Sequence, residues 1–209
     1  MNYSILVRKL LLNKERYVSE KDIKSYCAIL GIPYVSAIKY LGKYNYIIRI
    51  LRGFFYVPSI EERKLKTGKP YHLEAIAKAL EYKGVKNWYA GLETAIKLNN
   101  ITHEFFTIDY IISDKIFRSK PFKILGHKVK FAKVKKELLG FGIKKGKIPY
   151  SDLEKTLLDL IYLRKYSGRS DKAIKDELIE WFETASKTKI KKYSKNYSKN
   201  VRKLAEEML

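Results

Sequence analysis

Candidate catalytic acids are few in this 209-residue chain, and none belongs to a complete metal site. A nucleotidyltransferase needs a Gly-Ser turn followed by an Asp-x-Asp pair that holds two metal ions, and no such run occurs. A metal-dependent nuclease needs an acid at the end of one strand and an acid-x-Lys on the next. Asp109, Asp114 and Lys115 come closest to that arrangement, but they lie on one segment. A nuclease is therefore an alternative rather than the main prediction.

Other residues that could bind a metal or react are equally sparse. The three histidines are scattered without metal-ligand spacing, and Cys27 is the only cysteine, so we predict no metal, no cofactor and no catalytic residue. In a helix predicted over residues 152–166 and capped by Ser151, Lys155 and Asp159 are expected to form an ordinary ion pair worth a few tenths of a kcal/mol. The lone thiol also indicates a reducing, cytoplasmic location.

The charge of the chain indicates a polyanionic partner. Its 44 Lys and Arg outnumber its 22 Asp and Glu, which gives a formal net charge of +22. Residues 115–136 and 187–203 contain no acid. In these two stretches we predict additional phosphate contacts by Lys128, Lys130, Lys191, Lys192, Lys195 and Lys199. The alternative is that these residues form solvated lysine-rich faces. No apolar run approaches the ~20 residues of a membrane span, so no membrane contact is expected.

The most informative stretch, residues 19–57, has the pattern of two helices, a tight turn and a hairpin. Ser19 and Asp22 can cap the first helix, because a Ser-x-x-acid arrangement satisfies free backbone N–H groups. Gly31 can adopt the left-handed conformation that ends this helix. Pro33 suits the first turn of a second helix, where its missing N–H costs nothing. The pattern predicts a helix-turn-helix.

The second helix, predicted from Pro33 to Tyr44, has one apolar and one polar face. The residues expected to face the core are Val35, Ala37, Ile38 and Leu41, and those expected to face the DNA major groove are Ser36, Lys39, Tyr40 and Lys43. A β-branched and aromatic run then breaks once, at Arg52-Gly53, which predicts a two-stranded wing. Arg49 and Arg52 on this wing are candidate contacts to the DNA backbone or minor groove.

The predicted fold is α+β and has four parts. A winged helix-turn-helix occupies residues 1–60, and a polar linker of residues 61–70 follows. Residues 71–186 are expected to form a mixed α/β C-terminal domain with a small antiparallel sheet and late helices. The last part, residues 187–209, is predicted to be a basic helical tail.

Three runs of residues carry a resemblance to a known family. They are Tyr89-Ala90-Gly91-Leu92-Glu93-Thr94-Ala95-Ile96-Lys97-Leu98, Tyr150-Ser151-Asp152-Leu153-Glu154-Lys155-Thr156-Leu157-Leu158-Asp159-Leu160, and Arg52-Gly53-Phe54-Phe55-Tyr56-Val57. Up to about residue 185, the chain resembles the AbiEi-type proteins, which are antitoxins and transcriptional regulators of type IV toxin–antitoxin systems. The resemblance implies a repressor that binds inverted repeats in its own promoter through the winged helix. It also implies a C-terminal domain that opposes a nucleotidyltransferase-like toxin.

The sequence thus predicts a sequence-specific, double-stranded DNA-binding transcriptional regulator and not an enzyme. A homodimer on the inverted repeats and a toxin partner are further expectations, and the sequence leaves the operator and the oligomeric state open. Besides the nuclease, an RNA-binding winged-helix protein is an alternative, because winged helices and lysine-tyrosine segments also bind RNA.

Overall fold

The computed structural model describes residues 2–65 and 69–209, which divide into two compact units. The first unit comprises the chain up to Gly84 together with residues 124–126, and the second comprises residues 85–123 and 127–209. Both contain helices and strands, so the predicted α+β class is confirmed. Within the described ranges, no helix is both long and apolar enough to cross a bilayer.

The first unit opens with a helix, a strand, two helices and two strands. These are α1 (Tyr3–Leu11), β1 (Tyr17–Ser19), α2 (Glu20–Leu30), α3 (Tyr34–Lys43), β2 (Ile48–Leu51) and β3 (Phe54–Tyr56). The strands form an antiparallel sheet in the order β1-β3-β2. Two more helices follow, α4 (Ile60–Leu65) and α5 (His72–Tyr82).

Local signals set the phase of α2 and α3. The Ser19 Oγ accepts a hydrogen bond from the Asp22 backbone N–H at 3.2 Å, and the Asp22 carboxylate accepts one from the Ser19 N–H at 2.9 Å, so the predicted cap is confirmed. Gly31 ends α2 with φ 64°. Pro33 then sits at the N-cap of α3. The core between the three helices and the sheet contains Leu6, Leu10, Ile23, Cys27, Ala37, Leu41, Phe55 and Val57.

The segment predicted as a linker, residues 61–70, is partly helical. Ser59 Oγ accepts from the Glu62 N–H at 3.0 Å and Glu62 accepts from the Ser59 N–H at 2.9 Å, which is a second capping box and starts α4. The Glu62 carboxylate also accepts a hydrogen bond from the Tyr56 hydroxyl at 2.8 Å, which ties α4 to β3. The middle of the predicted linker, residues 66–68, lies outside the described residues.

Helix α5 belongs to the first unit, whereas the sequence placed a new domain from residue 71 onward. Its Tyr82 ring stacks on Phe54 with centroids 5.1 Å apart. Its Lys78 ammonium lies 5.8 Å from the centre of the Tyr17 ring. These contacts attach the helix to the small sheet, because Phe54 and Tyr17 lie on β3 and β1. The boundary between the units therefore follows Gly84.

The second unit is built on a mixed sheet. Its elements are β4 (Trp88–Gly91), α6 (Leu92–Leu98), β5 (Ile108–Ser113), β6 (Phe122–Ile124), β7 (His127–Lys133), β8 (Ile143–Lys144), β9 (Tyr150–Ser151), α7 (Leu153–Tyr166), α8 (Asp171–Glu183), α9 (Lys187–Ser194) and α10 (Lys199–Glu206). The strand order is β6-β7-β5-β4-β9-β8. Because β5 runs parallel to β7 and β4 parallel to β9, the prediction of a small antiparallel sheet is wrong.

The last 23 residues, 187–209, are an integral part of the second unit and not a separate tail. Apolar side chains on their inner side belong to the same core as α7 and α8, and they are Ile190, Tyr197, Val201, Leu204, Ala205 and Met208. Apolar positions three or four residues apart give each helix a face that packs inward. The prediction of a separate basic tail rests on the lysines of this segment and leaves out that apolar face.

An ion pair without solvent contact lies on α7. Lys155 and Asp159 are both 0 % exposed, and their Nζ and Oδ1 atoms are 3.2 Å apart. The Asp159 carboxylate accepts hydrogen bonds from the hydroxyls of Tyr197 at 2.6 Å and Tyr89 at 2.7 Å. The predicted ion pair is present, but the expectation that it is an ordinary helix pair is wrong because both side chains are buried. The spacing of four residues predicts the ion pair. The burial of the two side chains depends on the strands and helices that pack around α7.

Burial changes the proton affinities of this cluster. Loss of hydration lowers the pKa of Lys155, although the Asp159 carboxylate opposes that shift. The pKa values of Tyr89 and Tyr197 are raised, mainly by burial and further by Asp159. The ring of Tyr89 lies 4.9 Å below the Lys155 ammonium and adds a cation–π contact. Four side chains from β4, α7 and the α9–α10 connection thus depend on one another.

Replacing Asp159→Asn is expected to lower the free energy of unfolding by about 3–5 kcal/mol, because it leaves a buried ammonium without its counter-charge. Adding Lys155→Met should restore part of that loss, since no unpaired charge is then buried. Urea unfolding followed by tryptophan fluorescence measures both variants, because Trp88 and Trp181 lie in the second unit. A single variant within about 1 kcal/mol of the wild type would contradict this assignment.

Candidate nucleic-acid interface

Helix α3 presents a polar face that its core contacts hold outward. Ala37 and Leu41 are 0 % exposed and fix the inner side of the helix. Ser36, Lys39 and Lys43 are exposed. The helix contains no acidic residue, so the two lysines meet no carboxylate within α3. Such a face suits an anionic ligand with hydrogen-bonding edges.

Val35 departs from the predicted pattern. The sequence placed it in the core, but it is 63 % exposed. Val35 lies two residues before the buried Ala37, so it is rotated about 200° away from that inward position around the helix axis. Its methyl groups join the outward face of α3. In the DNA major groove, the 5-methyl group of thymine is the apolar surface that such a side chain can contact.

Tyr40 occupies a different environment from the other predicted α3 contacts. Its ring stacks on Tyr3 of α1 with centroids 4.4 Å apart, and Tyr44 and Tyr46 lie 4.8 and 6.0 Å away. The Arg63 guanidinium lies 4.4 Å from the Tyr46 ring. Tyr40 is consequently half-buried in a tyrosine cluster. This packing makes it a support for the end of α3 as well as a candidate contact.

The hairpin between β2 and β3 carries the two predicted arginines at its surface. Arg49 and Arg52 are exposed. The turn is fixed against the start of α2, because the Gly53 carbonyl accepts a hydrogen bond from the Glu20 N–H at 2.8 Å. Gly53 has φ 76°, and a Cβ there would lie 2.9 Å from the Glu20 carboxylate. Lys24, and to a lesser extent Arg52, lower the pKa of Glu20, so Arg52 lies in the field of an acid.

The other predicted phosphate contacts lie in the second unit. Lys128 and Lys130 are alternate residues of β7 and share a face, where Lys128 is exposed and Lys130 lies 5.9 Å from the Tyr110 ring. The remaining four are exposed on or beside α9 and α10, and they are Lys191, Lys192, Lys195 and Lys199. Six of the twelve predicted residues therefore lie in the first unit and six in the second.

The acids of the nuclease alternative do not meet. Asp109 is the second residue of β5 and accepts a hydrogen bond from the Thr94 hydroxyl at 3.3 Å. Asp114 follows the last residue of that strand, so the two backbones are separated by about 16 Å at the usual rise per residue. One metal ion cannot bridge them. The geometry of this pair gives the nuclease alternative no support.

Comparisons with known proteins bear on the fold alone. No protein-family model and no curated protein matches the sequence. Among solved structures, the chain is similar to the RV2827C protein from Mycobacterium tuberculosis, with a TM-score of 0.63 and 11% sequence identity. The similarity covers 100% of this chain and 76% of that one. At this level of identity, what the two proteins share is the arrangement of their elements.

Proposed function

We propose that this protein is a sequence-specific, double-stranded DNA-binding transcriptional regulator that reads bases with α3. The observation that carries the proposal is the acid-free outward face of α3, with Ser36, Lys39 and Lys43 exposed beside a rigidly packed core side. An α-helix fits the major groove of B-form DNA, where hydroxyl and ammonium groups can contact base edges.

The surroundings of α3 support this proposal. The order helix, strand, helix, helix, strand, strand of the first unit is the order expected of a winged helix, with α3 as its recognition helix and β2–β3 as its wing. Arg49 and Arg52 would then contact the flanking phosphates or the minor groove. The formal net charge of +22 favours association with a polyanion at any sequence.

Duplex RNA is the weaker ligand for the same face. The major groove of A-form RNA is deep and narrow, so side chains on a helix cannot read its base edges. A helix such as α3 can reach base edges only in a wide major groove such as that of B-form DNA. Competition between duplex DNA and duplex RNA of the same sequence and salt concentration separates the two ligands.

Ser36→Ala or Lys39→Ala should each cost about 1–3 kcal/mol of binding free energy on a duplex enriched from a random pool, and should reduce discrimination against random duplex. Arg52→Ala should instead weaken binding to both duplexes by similar factors and change the salt slope by about one unit, because it removes a phosphate contact. Fluorescence anisotropy over a salt series measures all three variants.

The matched control is Lys14→Ala, which removes one exposed cation from the first unit outside α3 and the hairpin. This variant should retain the discrimination of the wild type. Discrimination that survives unchanged in folded Ser36→Ala and Lys39→Ala proteins would show that α3 is not the reading element.

A narrower proposal is that the regulator is also the antitoxin of a nucleotidyltransferase-like toxin, as the family resemblance implies. It rests on the runs of residues in β4–α6 and α7, both in the second unit. Co-expression with a toxin gene adjacent to this one is expected to restore growth, and Lys39→Ala should leave that rescue intact because α3 lies in the first unit. Rescue lost together with DNA binding would instead indicate repression of the toxin gene.

A further inference from the structure

A basic groove of about 810 Å³ lies in the second unit. Its lining residues are Lys187, Lys191, Lys195, Arg202, Glu206 and Leu209. Four cations thus face one carboxylate side chain. Lys187, Lys191 and Lys195 are four residues apart along α9 and its C-cap, so they form a row on one side of the helix. We call these residues the α9–α10 groove.

Of the four cations of this groove, Lys187 donates a hydrogen bond from its Nζ to the Leu209 carbonyl oxygen. Outside the groove, Lys189 pairs with Asp152 and Glu154, and Lys175 pairs with Glu207. In the part of the chain that the structure describes, no ion pair holds Lys191, Lys195 or Arg202. The Arg202 Nε is buried and has no hydrogen-bond partner, although one of its terminal nitrogens donates to the Lys195 carbonyl at 3.0 Å.

The length of the row indicates the size of the ligand. Eight residues separate Lys187 from Lys195, which corresponds to about 12 Å along a helix. One phosphate group cannot span that distance. The phosphates of one DNA strand recur about every 3.4 Å along the duplex axis, so the row covers three to four of them. The groove therefore suits a polymer of evenly spaced anions.

The groove is also held in a fixed shape. Ile190 of α9 is 0 % exposed, and Val201 and Leu204 of α10 are 1 % exposed. Tyr197, between the two helices, donates its hydroxyl to the buried Asp159. A lysine row on an anchored helix loses less entropy on binding than the same lysines on a mobile tail.

We propose that the α9–α10 groove binds the phosphodiester backbone of duplex DNA and supplies a second, sequence-independent contact. This inference rests on the proposed function, since it concerns the same ligand. It assigns Lys187 and Arg202 to DNA binding in addition to Lys191 and Lys195. Lysines that neutralise phosphates release counterions, so the contact contributes to affinity and salt dependence and not to base discrimination.

The test compares two double variants of the full chain with the same net charge. Lys191→Gln with Lys195→Gln removes two cations of the groove. Lys145→Gln with Lys147→Gln removes two exposed cations of the second unit that neither line the groove nor belong to the predicted phosphate contacts. Binding of a random duplex of about 30 base pairs is measured over a salt series, with thermal unfolding by circular dichroism as the check on folding.

We expect the groove variant to make the slope of log K against log salt shallower by about two units and the control variant to leave it nearly unchanged. Equal slopes in the two variants would overturn the inference, as would displacement of the duplex by millimolar inorganic phosphate. Loss of binding to an acidic protein, with DNA binding intact, would likewise overturn it and identify a protein ligand.

The experiment distinguishes failure of the groove proposal from failure of the proposed role of α3. The groove variant should keep the discrimination between enriched and random duplex, because it touches no base edge. If the α3 variants leave discrimination unchanged while the groove variant lowers the slope, the groove is the DNA site and the role of α3 is refuted. If only the α3 variants have an effect, the groove proposal is refuted and the proposed function stands.

Discussion

The Lys155–Asp159 pair on α7 is the interaction on which the second unit depends. Both charges are removed from water, and a buried charge is tolerated only when a partner and hydrogen bonds replace its hydration. Tyr89 of β4 and Tyr197 between α9 and α10 supply those hydrogen bonds to Asp159. The sheet, α7 and the C-terminal helices therefore have to assemble together. Because α9 is anchored in this way, its lysines form a fixed row.

In the first unit, backbone geometry fixes the orientation of α3. The Ser19–Asp22 capping box fixes where α2 begins, and Gly31 with φ 64° fixes where it ends. These two points set the phase of α3, so Ala37 and Leu41 point inward and Lys39 points outward. A helix that contacts base edges needs such a fixed orientation, because a shift by one residue would rotate its side chains by about 100° around the helix axis.

Features encoded within a few residues could be predicted from the sequence. The cap at Ser19, the turn at Gly31 and the break at Arg52-Gly53 each depend on local backbone preferences, and the structure has all three. The capping box of Ser59 and Glu62 has the same signal and could have revealed α4. The prediction for Val35 was wrong although the helical period carries the signal, because a residue two positions before the buried Ala37 is rotated about 200° away from it around the helix axis.

Features set by long-range contacts could not be predicted. Spacing suggested an ion pair at Lys155 and Asp159, but its burial depends on Tyr89 and Tyr197, 66 residues before and 42 residues after Lys155. The parallel pairing of β5 with β7 is likewise invisible in either strand alone. Residues 187–203 were predicted to be part of a separate tail, because the side chains of α7 and α8 that their apolar residues pack against lie elsewhere in the sequence. In each case, the deciding contact lies far away in sequence.

The central claim is that α3 reads base edges in duplex DNA, and an NMR titration tests it most directly. Amide chemical shifts of the 24.5 kDa chain would be followed while a duplex enriched from a random pool, and then a scrambled duplex, is added. We expect the shifts that distinguish the two duplexes to lie at Val35, Ser36 and Lys39, with the hairpin at Arg52 responding to both. Distinguishing shifts that lie entirely outside α3 would contradict the claim.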